Sequence, residues 1–186
     1  MIYPIVALGN PVLKVRALEI SPQDPQLKQL IEDMFETMYH ASGVGLAAPQ
    51  VGKSIRLFVI DAEPMDEEKL KGTKMVFINP ILLKEEGEPW PYEEGCLSIP
   101  GIREAVKRAE KITIQYQDLS GISHENTFDG MLARVIQHEY DHLEGKLFID
   151  YLSPFRKKLI QNKIGDILKG RAKAEYPIRF AAQGKR

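Results

Sequence analysis

Gln137-His138-Glu139-Tyr140-Asp141-His142 sets two histidines four residues apart, with a glutamate directly after the first. On an α-helix, residues i and i+4 share one face, one turn apart, so both imidazoles reach a common metal ion. Glu139 lies roughly 100° around the helix from His138. That offset puts its carboxylate beside the ion, where it takes a proton from an activated water instead of ligating. The pattern points to metal-assisted hydrolysis of an amide. The bland alternatives are two solvated histidines on an exposed helix, or a His–Glu pair in a core; the helical context weighs against both.

Outward from the motif, Gly130 to Glu144 reads as one helix, with Asp129 as its cap and Gly145 as its terminator. Ser153-Pro154 opens a last helix, apolar at Phe155, Leu159, Ile160, Ile164, Ile167 and Leu168, with Gly170 as its stop. Upstream, Asp24 and Pro25 start a helix whose Leu27, Leu30, Ile31, Met34, Phe35 and Met38 form an apolar stripe up to about His40. Ile55–Asp61, Met75–Pro80 and Ile112–Gln117 read as strands, Ala62–Thr73 as an exposed loop, and Trp90–Gly101 as a stretch rich in Pro and Gly, of which Glu93–Gly101 is built like a rigid bend. The expected fold is α+β, with short strands packed around a central helix that carries the motif. Residues 1–170 are expected to form a single catalytic domain, and residues 171–186 a loose basic tail.

Hydrophobic content of 44% and charged content of 27% are those of a globular protein, which excludes disordered and fibrous classes. Cys96 is the one cysteine, so no internal disulfide forms, which suits a reducing compartment. The stretch from Met1 to Asn10 lacks a basic n-region and a signal-length apolar run, and no segment approaches the ~20 apolar residues of a membrane span. A cytoplasmic enzyme with no membrane partner is expected. Residues 153–186 carry a net charge of +8, leaving −9 on residues 1–152. A basic end on an acidic body can mark an anionic partner such as nucleic acid; a solvated helix face is the favoured reading.

A catalytic site of this kind takes three protein ligands and keeps one position open. The extended protease pattern requires a histidine six residues after His142, and Phe148 stands there. A downstream glutamate ligand is no better supported, since beyond Glu144 only Glu175 remains. His40 and His124 are isolated and read as ordinary surface histidines. Cys96, in Glu93-Glu94-Gly95-Cys96-Leu97-Ser98-Ile99-Pro100-Gly101, is the better candidate. A lone buried cysteine is more often inert, but the rigid segment and the missing third ligand favour a metal role.

Three segments resemble the three signature motifs of the bacterial type of peptide deformylases: Gly43-Val44-Gly45-Leu46-Ala47-Ala48-Pro49-Gln50, Glu94-Gly95-Cys96-Leu97-Ser98 and the motif quoted first. The resemblance reaches to about Leu168, including the C-terminal helix. It implies removal of the formyl group from the N-formylmethionine of nascent polypeptides, with release of formate. It implies one divalent metal on Cys96, His138 and His142, Fe(II) in cells, with Zn, Ni or Co as substitutes. Glu139 would be general base and acid, and the Gln50 side chain and the Leu97 backbone N–H would stabilise the oxyanion. Gly43, Val44, Gly45 and Gly95 would flank an extended substrate, and Met131 and Val135, on the histidine stripe of the helix, would line a methionine pocket. Glu94 and Arg108 match a family pair that braces the cysteine loop. Arg134 departs from the apolar residue of many relatives and is expected near the pocket mouth. Two other readings stay open: a non-catalytic metal-containing protein that binds the ribosome through the basic end, and a metallopeptidase cutting internal bonds.

Overall fold

Leu57 and Val59 share a core with Leu27, Ile31 and Met34, whereas Phe58 and Ile60 share one with Phe77, Ala133 and Ile136. This is the period of two of a strand, and it places one helix on each face of a sheet. The computed structural model describes residues 1–66 and 68–181. Its elements are β1 (Ile5–Val6), α1 (Leu27–His40), β2 (Gly45–Ala47), β3 (Leu57–Ile60), β4 (Met75–Glu86), β5 (Trp90–Cys96), β6 (Ile99–Arg108), β7 (Lys111–Gln117), β8 (Ser123–Asp129), α2 (Gly130–Leu143), α3 (Pro154–Leu168) and β9 (Ile178–Arg179). Five strands pair antiparallel in the order β2-β3-β4-β7-β8. β5 and β6 form a separate hairpin, and β1 pairs parallel with β9. The fold is α+β, with α2 packed on the five-stranded sheet.

Helix boundaries follow the local signals closely. α1 begins at Leu27 and not at Pro25: the Leu27 N–H bonds the Asp24 carbonyl in a turn, and the Asp24 side chain accepts from the Gln26 N–H at 2.8 Å. Asp129 precedes α2 but makes no side-chain cap bond. Gly145 ends the α2 region at φ +69°, where a Cβ would come within 2.8 Å of the Lys14 carbonyl. Ser153 caps α3 through its hydroxyl, which accepts from the Arg156 N–H.

The strand readings needed more correction. β4 continues six residues past Pro80, through register shifts between Ile78 and Ile81 and between Leu82 and Lys84, the first of which lets the proline stand in the strand. Glu93–Gly101, expected to be a rigid bend, is the end of β5, the tight turn at Leu97 and Ser98 and the first residues of β6. β8, Ser-His-Glu-Asn-Thr-Phe-Asp, is an edge strand with no apolar alternation to betray it.

The third core joins the hairpin to α3 through Ile99, Ile102 and Val106 against Phe148, Ile160 and Ile167. Only part of the α3 apolar pattern is used: Phe155, Leu159 and Leu168 are exposed. The loose-tail expectation fails for residues 171–181. Ile178 and Arg179 pair with Ile5 and Val6, and Phe180 is buried in the third core. Burial of an aromatic side chain and a strand partner supply the stabilisation that a charged tail by itself lacks. Residues 182–186 of that expected tail lie outside the described residues. Among the described residues no helix is long and apolar enough to cross a membrane.

Candidate active site

α2 projects His138 and His142 from one face, and the end of β5 brings Cys96 to meet them. The three ligand-type atoms lie within 4.8 Å of one another, with Cys96 Sγ 3.4 Å from His142 Nε2. A sequence separation of 46 residues is closed here by the packing of the hairpin beside α2. His138 turns its Nδ1 to Glu94 Oε2 at 2.9 Å, which leaves Nε2 for the cluster. A carboxylate behind a ligating imidazole fixes ring orientation and tautomer.

Glu94 is the hub of this brace. It accepts two bonds from Arg108, at 2.7 and 2.9 Å, and one from Arg134 at 2.7 Å. Arg108 also reaches Asp141 at 2.7 Å, so both strands of the hairpin are tied to the motif helix. Burial works against the Glu94 charge, but the bonds from His138 and Arg108 outweigh it and hold the carboxyl at about 2. Arg134 lines the cleft, as expected, but its guanidinium turns away from solvent. It is buried, donates to the Val106 and Trp90 carbonyls, and stacks on the Trp90 ring at 4.1 Å. A guanidinium on the inward side of α2 finds acceptors in the hairpin that a solvent-facing one would lack.

Glu139 is buried, and its Oε2 has no hydrogen-bond partner among the described residues. Burial pushes its carboxyl up to about 7, against the pull of the His138 and Arg108 charges. Its room comes from Gly45, where any Cβ would collide with the carboxylate. Gln50, also buried, accepts from the Ala47 N–H at 2.8 Å through Oε1. That bond orients the amide, so that Nε2 donates to Ser98 Oγ at 3.3 Å and toward Cys96 Sγ at 3.5 Å.

These groups sit at the base of a cleft of about 430 Å³. Gly43, Val44 and Gly45 form one wall and Gly95, Cys96 and Leu97 the facing one. Met131, Val135, His138 and Glu139 line the α2 side, and Gln50 closes the base. His142 lies behind, 1% exposed. Every residue selected from the sequence is thus in or against one cleft. A soft thiolate donor beside two imidazoles suits a transition-metal ion, and the unpartnered Glu139 oxygen beside them suits a proton acceptor more than a fourth ligand.

Tyr176 was missed. It stands at the cleft edge and donates its hydroxyl to the Leu97 carbonyl at 2.8 Å. Burial first, and Cys96 second, raise this phenol to about 12, so it remains a donor at neutral pH. The signal was present: Tyr176, Ile178 and Phe180 alternate with period two. Ser98, the partner of Gln50, carried no such signal.

The family model for polypeptide deformylase matches residues 2–158. A peptide deformylase of Cytophaga hutchinsonii is 52% identical over 180 residues, covering 97% of this chain and 98% of that protein. Among solved structures, peptide deformylase from Legionella pneumophila superposes with a TM-score of 0.80 at 42% identity, over 93% of this chain and 100% of that one. The Thermotoga maritima peptide deformylase gives 0.76 at 45% identity, over 83% and 99%.

Proposed function

The chain belongs to the peptide deformylase family, an enzyme family that removes the N-formyl group from nascent polypeptides, and on that premise we propose which of its residues perform the reaction. The family is metal-dependent, and we infer that Cys96, His138 and His142 hold the ion: ferrous iron in the cell, with zinc, nickel or cobalt as substitutes. The mixed thiolate and imidazole set supports that assignment. When bound, the ion supplies Lewis-acid activation of water and of the formyl carbonyl.

The chain's own groups do the rest. The formyl-peptide lies extended in the cleft between the Gly43–Gly45 and Gly95–Leu97 walls, where exposed backbone pairs with it like an added strand. Met131 and Val135 receive the methionine side chain. Glu139 takes the proton of the attacking water and delivers one to the departing amine. Its raised pKa, near neutrality, suits both transfers. The Gln50 amide, oriented by Ala47, and the Leu97 N–H share the negative charge that develops on the formyl oxygen. Formate and a free amino terminus leave.

One observation carries this reading: a buried, unpartnered carboxylate oxygen on Glu139 beside the three-ligand cluster, at the base of an open cleft. A structural metal module needs neither the carboxylate nor the cleft. We place the enzyme in the cytoplasm, and we keep a weak ribosomal contact by the basic α3 face as a separate proposal. Protein prepared with iron under anaerobic conditions should release formate from a formyl-methionyl peptide and leave casein intact. Internal cleavage of casein without formate release would support a metallopeptidase instead.

A further inference from the structure

The turn that joins β5 to β6 is irregular. The hairpin register shifts between Gly95 and Cys96, so ladder bonds do not by themselves hold Leu97 and Ser98. Three bonds from outside the hairpin do. Tyr176 donates to the Leu97 carbonyl at 2.8 Å, the Leu8 N–H donates to the Ser98 carbonyl at 2.8 Å, and Gln50 donates to Ser98 Oγ at 3.3 Å. The first two come from opposite ends of the chain. Those ends are joined by the β1–β9 pair, through Ile5 N–H to the Pro177 carbonyl and Ala7 N–H to the Arg179 carbonyl, and Phe180 anchors the segment in the third core.

We propose that Tyr176 is a positioning residue for deformylation: the paired chain ends clamp the Leu97–Ser98 turn, and the tyrosine hydroxyl fixes the Leu97 backbone that faces the reacting formyl group. Leu97 contributes an N–H on one peptide plane and a carbonyl on the next. Anchoring the carbonyl restricts rotation about Leu97 and so sets where its N–H points. The Tyr176 ring packs with Leu97 on the same core, so loss of the hydroxyl alone removes the anchor and leaves the packing. The segment lies beyond the region matched by the family model, which ends at residue 158. The C-terminal stretch is therefore part of the active site and not an appendage to it.

This inference rests on the deformylase reading, and one experiment separates the two. The full chain is loaded with zinc, and formate release from a formyl-methionyl tripeptide is measured per bound zinc for wild type and Tyr176→Phe. Loss of one oriented hydrogen bond should lower kcat about three- to tenfold. KM should stay within about twofold, because the cleft wall is unchanged. In carbon-labelled protein the Leu97 carbonyl resonance should move in Tyr176→Phe, which a merely packed ring would not cause. Truncation after Gly170 should lose more than Tyr176→Phe. An unchanged kcat overturns the proposal whether or not the Leu97 resonance moves, as does a rise in KM alone. Failure of the wild type to release formate overturns the deformylase reading itself.

Discussion

Gly45 leaves no space for a side chain because the Glu139 carboxylate occupies it. This contact shows why two motifs more than ninety residues apart act as one site. Glu139 follows His138, a proposed ligand, yet points beside the cluster, so Glu139→Ala should retain metal while formate release falls by at least ~10²-fold, as expected for the loss of a general base. Metal analysis on the same sample as the assay decides this; loss of metal together with activity would make Glu139 a ligand. Cys96 makes the complementary case. Cys96→Ser should lower metal occupancy sharply, because a serine hydroxyl is a poor ligand at neutral pH. In cobalt-loaded protein the sulfur-to-metal charge-transfer absorption should vanish, and an unchanged spectrum would place the third ligand elsewhere.

The hairpin and the motif helix are locked by charge, not only by apolar contact. Arg134, Glu94, Arg108 and Asp141 are all buried and bonded one to the next in that order. Such a cluster gains little over a packed apolar core, but breaking it strands the remaining charges. Glu94→Ala leaves Arg108 and Arg134 without their shared carboxylate and frees His138 Nδ1. It should cost about 3–5 kcal/mol of stability, read from urea unfolding of the zinc-loaded protein. A cost under ~1 kcal/mol would mean that water replaces the carboxylate at no loss. The Glu94–Arg108 pair was legible only through resemblance to the family. The direction of Arg134 was not legible at all, since helical spacing says which side of α2 a residue occupies but not what stands opposite.

Charge divides the molecule, and the tertiary contacts revise what that division means. Of the basic residues on α3, Arg156 pairs with Glu104, Lys157 donates to the Asp150 carbonyl and Lys163 donates to the Gly101 carbonyl. Lys158, on α3, and Lys169, which caps its C-terminus, remain the better candidates for phosphate contacts. Lys158→Glu with Lys169→Glu should leave formate release from short peptides unchanged. It should weaken cosedimentation with ribosomes at low salt, with wild-type binding itself falling steeply as salt rises. Equal sedimentation of both proteins would return α3 to a solvated face. The exposed Phe155 and Leu159 show the limit of reading that helix from periodicity: its register was right, but its neighbours cover only the Ile160 and Ile167 side.

What the chain's order of residues determined was local. The i, i+4 histidines, the α1 stripe, the Ser153 cap and the glycines after α2 and α3 act through bonds and contacts within a few residues, so their outcome is written in the segment itself. The β8 edge strand, the extension of β4 and the ordering of residues 171–181 depend on partners far along the chain, which supply the ladder bonds and the buried surface. Only the tertiary structure decided that Cys96 lies 3.4 Å from His142, that Arg134 turns inward, and that Tyr176 reaches the Leu97 carbonyl. Side-chain direction and closure over tens of residues are set by packing between elements, and that packing has no signature within any one of them.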